Sequence, residues 1–289
     1  MKTFWQKTRR AISDFMEFAF PKKVETSIFI DLESNHQESP AWPQEWYRGF
    51  IKTKNNLGIM VTDLGPAEKA FIEFAKTAKN PLIDIGCAYG VATRPAIAAG
   101  ARVIAVDLCQ EHLDILKKSL PEDLHKRLRT TTNRFPNELE IRPDSIDGIL
   151  AASLFHFVTP KEFRKGLKNC FNWLIPGGKL WITMFTPYFP SFLPFLEIYE
   201  QRVANGDPWP GVFNPQKYAN GNDEWIELLP HEIQIFKQEE LEKLIKKAGF
   251  TILKSQYFAY PFFKRWVKDY TGKEFVMICA EKPKSLFKV

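Results

Sequence analysis

LIDIGCAYG, residues 82–90, is the stretch of the chain that decides its fold. Its first half is a short apolar run, which is typical of a strand buried on both faces of a sheet. Its second half is a turn of small residues, with Gly86, Ala88 and Gly90 at alternate positions. Small residues let the backbone approach a ligand closely, and glycine tolerates a positive φ. The stretch therefore predicts a binding turn at the end of a buried strand.

Runs of the same texture continue along the chain and alternate with amphipathic patterns. The apolar runs occupy residues 81–86, 101–107, 145–153 and 178–185, with helical patterns at 91–100, 110–119 and 160–173. A helix over about 66–79 precedes them, and a helix over about 237–248 with strands at 251–258 and 274–282 follows. Apolar strands that alternate with helices predict an α/β fold built on a parallel sheet covered on both faces.

An acidic side chain closes the second apolar run. Asp107 stands 17 residues after Gly90. At the carboxyl end of the second strand, such a carboxylate can accept hydrogen bonds from both hydroxyls of a ribose. The dinucleotide pattern G-x-G-x-x-G fails, because Ala88 and Val91 occupy its second and third glycine positions. The pair of features predicts an adenosine site that does not hold a pyrophosphate.

At these residues the chain resembles the class I S-adenosylmethionine-dependent methyltransferases. Their first motif, D-x-G-x-(G/A)-x-G, has an alanine here in place of the more usual middle glycine, and its matched residues are Asp84, Gly86, Ala88 and Gly90. The resemblance covers about residues 66–186 and 236–282. It implies a doubly wound, seven-stranded, mostly parallel Rossmann-like sheet with an antiparallel last strand, plus helical cap elements.

The resemblance also implies S-adenosylmethionine as the cofactor and assigns its contacts. Asp107 matches the ribose-binding acid, and the segments after the third and fourth strands match contacts to adenine and to the methyl-transfer end. The full set is Asp84, Gly86, Cys87, Ala88, Gly90, Asp107, Leu108, Asn133, Arg134, Phe135, Ala152 and Ser153. No metal site is predicted. Cys87 is expected to be a packing residue, and Asp147 is expected to brace a turn.

His156 is the candidate catalytic residue. It lies in the loop after the fourth strand, where related small-molecule enzymes often have a histidine or an aromatic residue. A neutral imidazole there can accept the proton of a hydroxyl or amine nucleophile. The alternative is that His156 packs among its neighbours Phe155, Phe157 and Val158, and the sequence favours neither role.

The chain is expected to divide into three parts. Residues 66–186 and 236–289 form the cofactor-binding core, and residues 1–65 form an N-terminal cap segment. Residues 187–235 form an insertion with seven of the chain's twenty prolines and nine aromatic residues. An irregular segment of this length within a compact domain is usually functional, so we expect it to form a substrate lid.

Residues 4–20 have the period of an amphipathic helix, whose apolar half is Phe4, Ala11, Ile12, Phe15, Met16, Phe18 and Ala19. A face of this width must be buried against something. The cofactor cleft of the same chain is the favoured partner, and a second copy of the chain or a membrane surface are the alternatives. Asp14 and Glu17 on the polar face weaken the attraction to anionic lipid.

Composition narrows the acceptor without identifying it. The net charge of +6 forms no basic stripe outside the two termini, and the fourth strand lacks an NPPY-type motif, so nucleic acid is disfavoured. The four cysteines form no CxxC pair and indicate a cytoplasmic protein. A small or lipid-like acceptor, of the kind used by quinone-biosynthesis methyltransferases, is the favoured substrate. A protein or RNA methyltransferase and a catalytically silent cofactor binder are the alternatives. The accepting atom and the oligomeric state stay open.

Overall fold

The computed structural model describes residues 43, 50–55, 58–218, 224–260 and 270–284. The amphipathic segment at residues 4–20 lies outside these ranges, so its helix and its partner stay predictions. Within the described ranges, no helix combines the length and the apolar character that a bilayer span requires.

Eleven strands form the described part of the chain's sheets. β1 (Phe50–Lys52) and β2 (Ile59–Val61) pair as an antiparallel hairpin. The bounds of the others are β3 (Leu82–Ile85), β4 (Val103–Val106), β5 (Leu128–Thr131), β6 (Ile146–Ala152), β7 (Leu174–Phe185), β8 (Val212–Phe213), β9 (Ile233–Gln234), β10 (Thr251–Phe258) and β11 (Phe275–Glu281). The hairpin lies in the predicted cap segment, where the sequence led us to expect helical elements.

The described residues contain six α-helices, and their bounds are α1 (Pro66–Ala75), α2 (Thr93–Ala98), α3 (Gln110–Lys118), α4 (Pro160–Trp173), α5 (Leu196–Ala204) and α6 (Gln238–Lys247). The start of α4 shows why a helix begins where it does. Thr159 accepts the backbone N–H of Glu162, and the Glu162 carboxylate accepts the backbone N–H of Thr159. This capping box satisfies helix donors that otherwise have no partner.

The main sheet has seven strands in the order β5-β4-β3-β6-β7-β11-β10. β3 to β7 are parallel to their neighbours, whereas β11 runs antiparallel between β7 and β10. The predicted fold class is therefore confirmed, including the antiparallel last strand. The chain moves outward from β3 to β5 and then crosses back to β6 on the other side of β3. The carboxyl ends of β3 and β6 flank this reversal, and open α/β sheets have their ligand-binding crevice at such a place.

The two faces of the sheet carry separate hydrophobic cores. Alternate residues of a strand point to opposite faces, so Leu82 belongs to one core and Ile83 to the other. The first core takes residues from α1, α2 and α3, and the second takes residues from α4 and α6. Burial on both faces explains why the parallel strands are continuously apolar in sequence.

The predicted bracing role of Asp147 is confirmed. Its Oδ2 accepts the backbone N–H groups of Lys79 at 2.6 Å and Asn80 at 2.8 Å, and its Oδ1 accepts the Asn80 side-chain amide at 2.8 Å. The carboxylate thereby fixes the chain where it leaves α1 and enters β3, and it leads that strand to its place beside β6.

Candidate cofactor site

The turn after β3 has a backbone that only small residues tolerate. Gly86, Ala88 and Gly90 have φ values of 76°, 44° and 80°. A Cβ at Gly90 would lie 2.3 Å from Cδ1 of Leu116, so α3 packs directly against the turn. Ala88 is the one residue of the three with a side chain, and its conformation is the left-handed one that glycine prefers. The turn therefore presents backbone rather than side chains to the crevice.

Asp84 stabilises this turn through a hydrogen bond with the first residue of α2. The carboxyl is buried, and its Oδ2 accepts a hydrogen bond from the Thr93 hydroxyl at 2.6 Å. Burial, together with the charges of Glu68 and Asp107 and against the Thr93 hydrogen bond, raises the pKa of Asp84 to about 7. Thr93 was not among the predicted site residues, although its position at the start of the following helix offered a signal.

Cys87 is a packing residue, as expected. Its side chain is buried, and that burial raises the pKa of the thiol well above its ordinary value. A protonated buried thiol is a small hydrophobe rather than a nucleophile.

Asp107 lies where the sequence predicted, at the carboxyl end of β4 and beside the turn. Its Oδ2 accepts the Ala88 N–H at 2.9 Å. Its Oδ1 accepts the Cys109 N–H at 2.9 Å and contacts His112 Nδ1 at 2.9 Å. A carboxylate has about four acceptor positions, so one on Oδ2 is not used by a donor of the described residues. The donors of the described residues thus leave one acceptor position of the carboxylate for a ribose hydroxyl, and the contact with both hydroxyls stays a prediction.

Leu108 of the predicted cofactor set, and the predicted adenine contacts Asn133, Arg134 and Phe135, separate into exposed and buried side chains. Leu108 is 54% exposed beside Asp107, and Asn133 and Arg134 are exposed in the segment after β5. Phe135 is buried instead, with its ring 5.7 Å from that of Phe155 and packed beneath α4. Any contact of Phe135 with a base can come only from its main chain.

The carboxyl end of β6 brings Ala152 and Ser153 to the same edge as the turn. Ser153 has a φ of 51°, and its N–H donates to the carbonyl of Thr183 at 3.0 Å. The neighbouring strand β7 therefore fixes the irregular backbone at this end of the crevice.

His156 lies in a short 3₁₀ turn, Phe155–Phe157, and is buried. Its Nε2 accepts the Phe185 N–H at 3.0 Å, so Nδ1 carries the proton and donates to the Gln234 carbonyl at 3.1 Å. Burial lowers the pKa of His156 to about 4. Both ring nitrogens are engaged by backbone, which favours the packing alternative. The catalytic role of His156 stays a prediction.

The insertion packs an aromatic cluster onto the end of β7. Phe185 is at its centre, and its ring stacks on His156 with centroids 4.5 Å apart. Four other rings lie within 6 Å of it, and they are Phe189, Phe192, Trp225 and Phe275. This cluster forms an apolar wall at the carboxyl ends of the parallel strands, where the turn and Asp107 also lie.

The site combines a small-residue turn at the switch point of a parallel sheet with an acid on the next strand. This combination is typical of an adenosine site. Residues 82–178 match the family described as a methyltransferase domain. The chain contains a methyltransferase domain. Its resemblance to the S-adenosylmethionine-dependent class is confirmed, and with it the cofactor.

Two curated relatives of this methyltransferase domain have names that refer to quinones. The chain is 25% identical over 143 residues to the mitochondrial ubiquinone biosynthesis O-methyltransferase of Rattus norvegicus, covering 47% of this chain and 41% of the relative. It is 27% identical over 179 residues to the demethylmenaquinone methyltransferase of Clavibacter sepedonicus, covering 61% and 67% respectively. The chain thus spans less than half the length of the rat relative.

Solved structures share the fold of the methyltransferase domain. A SAM-dependent methyltransferase from Methanosarcina mazei superimposes with a TM-score of 0.55 at 19% identity, covering 77% of this chain and 99% of that one. An S-adenosylmethionine dependent methyltransferase from Mesorhizobium loti gives a TM-score of 0.54 at 16% identity, covering 75% and 98%.

Proposed function

We propose that this chain transfers the methyl group of S-adenosylmethionine to a small apolar or aromatic molecule. The observation that carries the proposal is the shared sheet edge, where the glycine-rich turn, Asp107 and the aromatic wall on Phe185 meet. The described part of the cap segment supports it, because the β1–β2 hairpin contacts both the turn and the insertion. The cap role of residues 1–65, the lid role of residues 187–235 and a cytoplasmic location belong to the same proposal.

The residues present fit the cofactor. The open acceptor position on Asp107 Oδ2 suits a ribose hydroxyl, and the turn at Gly86 and Ala88 leaves room for close approach of the ligand to backbone. Leu108 supplies an exposed apolar surface for the base, with Asn133 and Arg134 beside it. The other residues expected to bind the cofactor are Asp84, Cys87 and Gly90 in the motif, and Ala152 and Ser153 at the methyl-transfer end.

When bound, the sulfonium of S-adenosylmethionine supplies an activated methyl group. The protein therefore has mainly to position the acceptor against that methyl group and to exclude water. The turn and Asp107 would hold the adenosine. The apolar wall around Phe185 would exclude water from the transfer path and bind a flat acceptor against its rings. If His156 takes a proton from the acceptor, it must first give up the Phe185 N–H bond to its Nε2.

The acceptors to test first are quinols and related phenols. Both relatives described above have names that refer to quinones, and an aromatic wall suits a planar ring. The charge distribution, without a basic stripe, supports a small molecule over nucleic acid.

Substitution of Asp107 tests the cofactor assignment. Asp107→Ala should weaken S-adenosylmethionine binding by roughly 2–4 kcal/mol, or about 30-fold or more, because a charge-assisted hydrogen bond and the alignment of the turn are lost. Calorimetry measures the affinity, and Asp114→Ala, an exposed acid on α3, is the matched control. An unchanged affinity in folded Asp107→Ala protein would contradict the ribose assignment.

Formation of S-adenosylhomocysteine with panels of quinols, peptides and RNA tests the reaction. Turnover with a quinol or phenol supports the proposal. Turnover with RNA or peptide alone would overturn the small-molecule acceptor. Tight cofactor binding without turnover on any panel would indicate a silent binder instead.

A further inference from the structure

His112 joins the predicted ribose acid to a distant part of the chain. It lies in the first turn of α3 and is 1% exposed. Its Nδ1 is 2.9 Å from Asp107 Oδ1, and its Nε2 accepts the backbone N–H of Lys54 at 3.0 Å. Lys54 follows β1, 58 residues earlier in the chain. One buried imidazole thus bonds the cofactor site and the hairpin at the same time.

The geometry fixes which nitrogen carries the proton. Nε2 accepts an N–H from Lys54, so it holds no hydrogen, and Nδ1 must be the donor to Asp107. The ring is therefore the neutral tautomer that donates at one end and accepts at the other. Both bonds are directed, so His112 sets the rotation of the Asp107 carboxylate as well as the position of Lys54.

A second contact holds the hairpin to the turn. Tyr89, inside the glycine-rich motif, donates its hydroxyl to the Lys52 carbonyl at 3.1 Å. Its ring meets the His112 ring edge-on, with centroids 4.8 Å apart. Tyr89 also packs with the buried hairpin residues Ile51 and Met60. The hairpin is therefore seated on the cofactor turn by side chains from two elements.

We propose that His112 is a positioning residue that orients Asp107 for the ribose and holds the β1–β2 hairpin against the cofactor turn. This inference rests on the proposed function, since it requires S-adenosylmethionine to bind at Asp107. Three acceptor positions of the Asp107 carboxylate are filled by protein donors. The fourth position is therefore oriented for the ribose before the cofactor binds. Cofactor binding fixes the same carboxylate further, and His112 transmits that ordering to the Lys54 amide.

The two nitrogens of His112 can be removed one at a time. In His112→Asn, the side-chain amide can donate to Asp107 from the position of Nδ1, but no atom reaches Lys54. In His112→Gln, the longer amide can accept the Lys54 N–H from the position of Nε2, but the donor to Asp107 is lost. A residue that served stability alone would not separate these two effects.

The expected results differ for the two variants. His112→Gln should weaken S-adenosylmethionine binding by about tenfold, because the carboxylate is no longer pre-oriented, and should keep the hairpin protected from amide exchange. His112→Asn should keep the affinity within about threefold of wild type and lose protection at residues 50–55. His125→Asn and His125→Gln are matched controls, because the one partner of His125 among the described residues is the Leu120 carbonyl, away from the site.

The wild-type protein gives a test that does not depend on whether a variant folds. Adding S-adenosylmethionine should slow amide exchange in peptides covering residues 50–61. No change in this exchange upon saturation, or equal cofactor affinity in both folded His112 variants, would overturn the inference. If the wild type does not bind S-adenosylmethionine at all, the proposed function fails instead, so the two failures are distinguishable.

Discussion

Asp84 and His156 are buried titratable side chains at neighbouring strand ends, and burial disfavours the charged form of both. Burial raises the pKa of Asp84 to about 7 and lowers that of His156 to about 4. Desolvation is the largest cause in each case. The two groups therefore make opposite contributions to how the stability of the ligand-free protein depends on pH.

For Asp84, we expect a loss of stability as the pH rises. The folded pKa lies above the ordinary 3.8, so the stabilising contribution is complete below that value and is lost as the pH rises through about 7. The loss is on the order of 4 kcal/mol. Asp84→Asn should not show it, and Thr93 can still donate to the amide oxygen. Chemical unfolding of both proteins between pH 4 and pH 8 measures the difference, and parallel curves would contradict the prediction.

For His156, the sign is reversed. Its folded pKa is depressed from 6.5, so its contribution is present above pH 6.5 and is lost as the pH falls through about 4, on the order of 3 kcal/mol. His156→Gln should lack this acid-sensitive part of the free energy of unfolding. If the packing role holds, the variant should also keep most of its kcat. A fall in kcat of about 100-fold in folded protein, with unchanged cofactor affinity, would instead establish a general base.

At the scale of elements, the binding turn and the helix after it give a prediction with a built-in control. Ala88 has a φ of 44°, where a side chain costs about 1 kcal/mol relative to glycine. Ala88→Gly should therefore leave the free energy of unfolding unchanged or raise it by up to about 1 kcal/mol. Ala99 has a φ of −70°, so Ala99→Gly should lower it by about 0.5–1 kcal/mol.

The measurement is thermal unfolding of Ala88→Gly, Ala99→Gly and Ala88→Val side by side. Ala88→Val should be the least stable of the three, because a β-branched residue resists this conformation. Equal losses from both glycine substitutions would show that the conformation of Ala88 carries no strain.

The elements differ in how far the sequence could predict them. β3, β4, β6 and β7 were recognisable because burial on both faces demands unbroken apolar runs. β1 and β2 were not recognisable, because each has three residues. The side chains that hold this hairpin region, Tyr89 and His112, lie far away in the sequence. The predicted boundaries of the elements were less accurate than the prediction that the elements exist. α1 ends at Ala75, four residues before the predicted end, and β7 begins at Leu174 instead of Gly178.

The site shows the same division. The positions of Asp84, the turn and Asp107 were predictable because the family's motif has fixed residue types at fixed short spacings. His112 and Lys54 were missed because their contact joins residues 58 positions apart, and no local pattern marks it. Phe135 was placed correctly along the chain, but whether its ring faces a ligand or α4 depends on packing that spacing does not encode.

At the scale of the whole molecule, Gly211 holds together the two short strands of the insertion, β8 and β9. Its carbonyl accepts the Ile235 N–H at 3.1 Å, and a Cβ at Gly211 would lie 1.7 Å from the Ile235 carbonyl oxygen. Gly211→Ala must therefore separate the two strands of the insertion. We expect it to abolish methyl transfer while S-adenosylmethionine affinity stays within about threefold, because the cofactor turn lies on other elements.

The control for this substitution is Gly206→Ala, in the same insertion. No described atom lies within 4 Å of a Cβ there, so only its φ of 74° opposes the change, at about 1 kcal/mol. Methyl-transfer assays and calorimetry on both proteins compare the two sites. Full activity in Gly211→Ala protein would show that the insertion takes no part in acceptor binding.

The β1–β2 hairpin faces two ways. One side is bonded to the cofactor turn, and the other reaches the insertion, where Gly58 donates to the Leu228 carbonyl at 2.9 Å and Phe50 stacks on Trp225. On the proposed function, the demethylated cofactor and the methylated acceptor would each lie beside an element that this hairpin contacts. We therefore expect the release of either molecule to loosen the hairpin, and we expect product release rather than methyl transfer to limit the turnover rate.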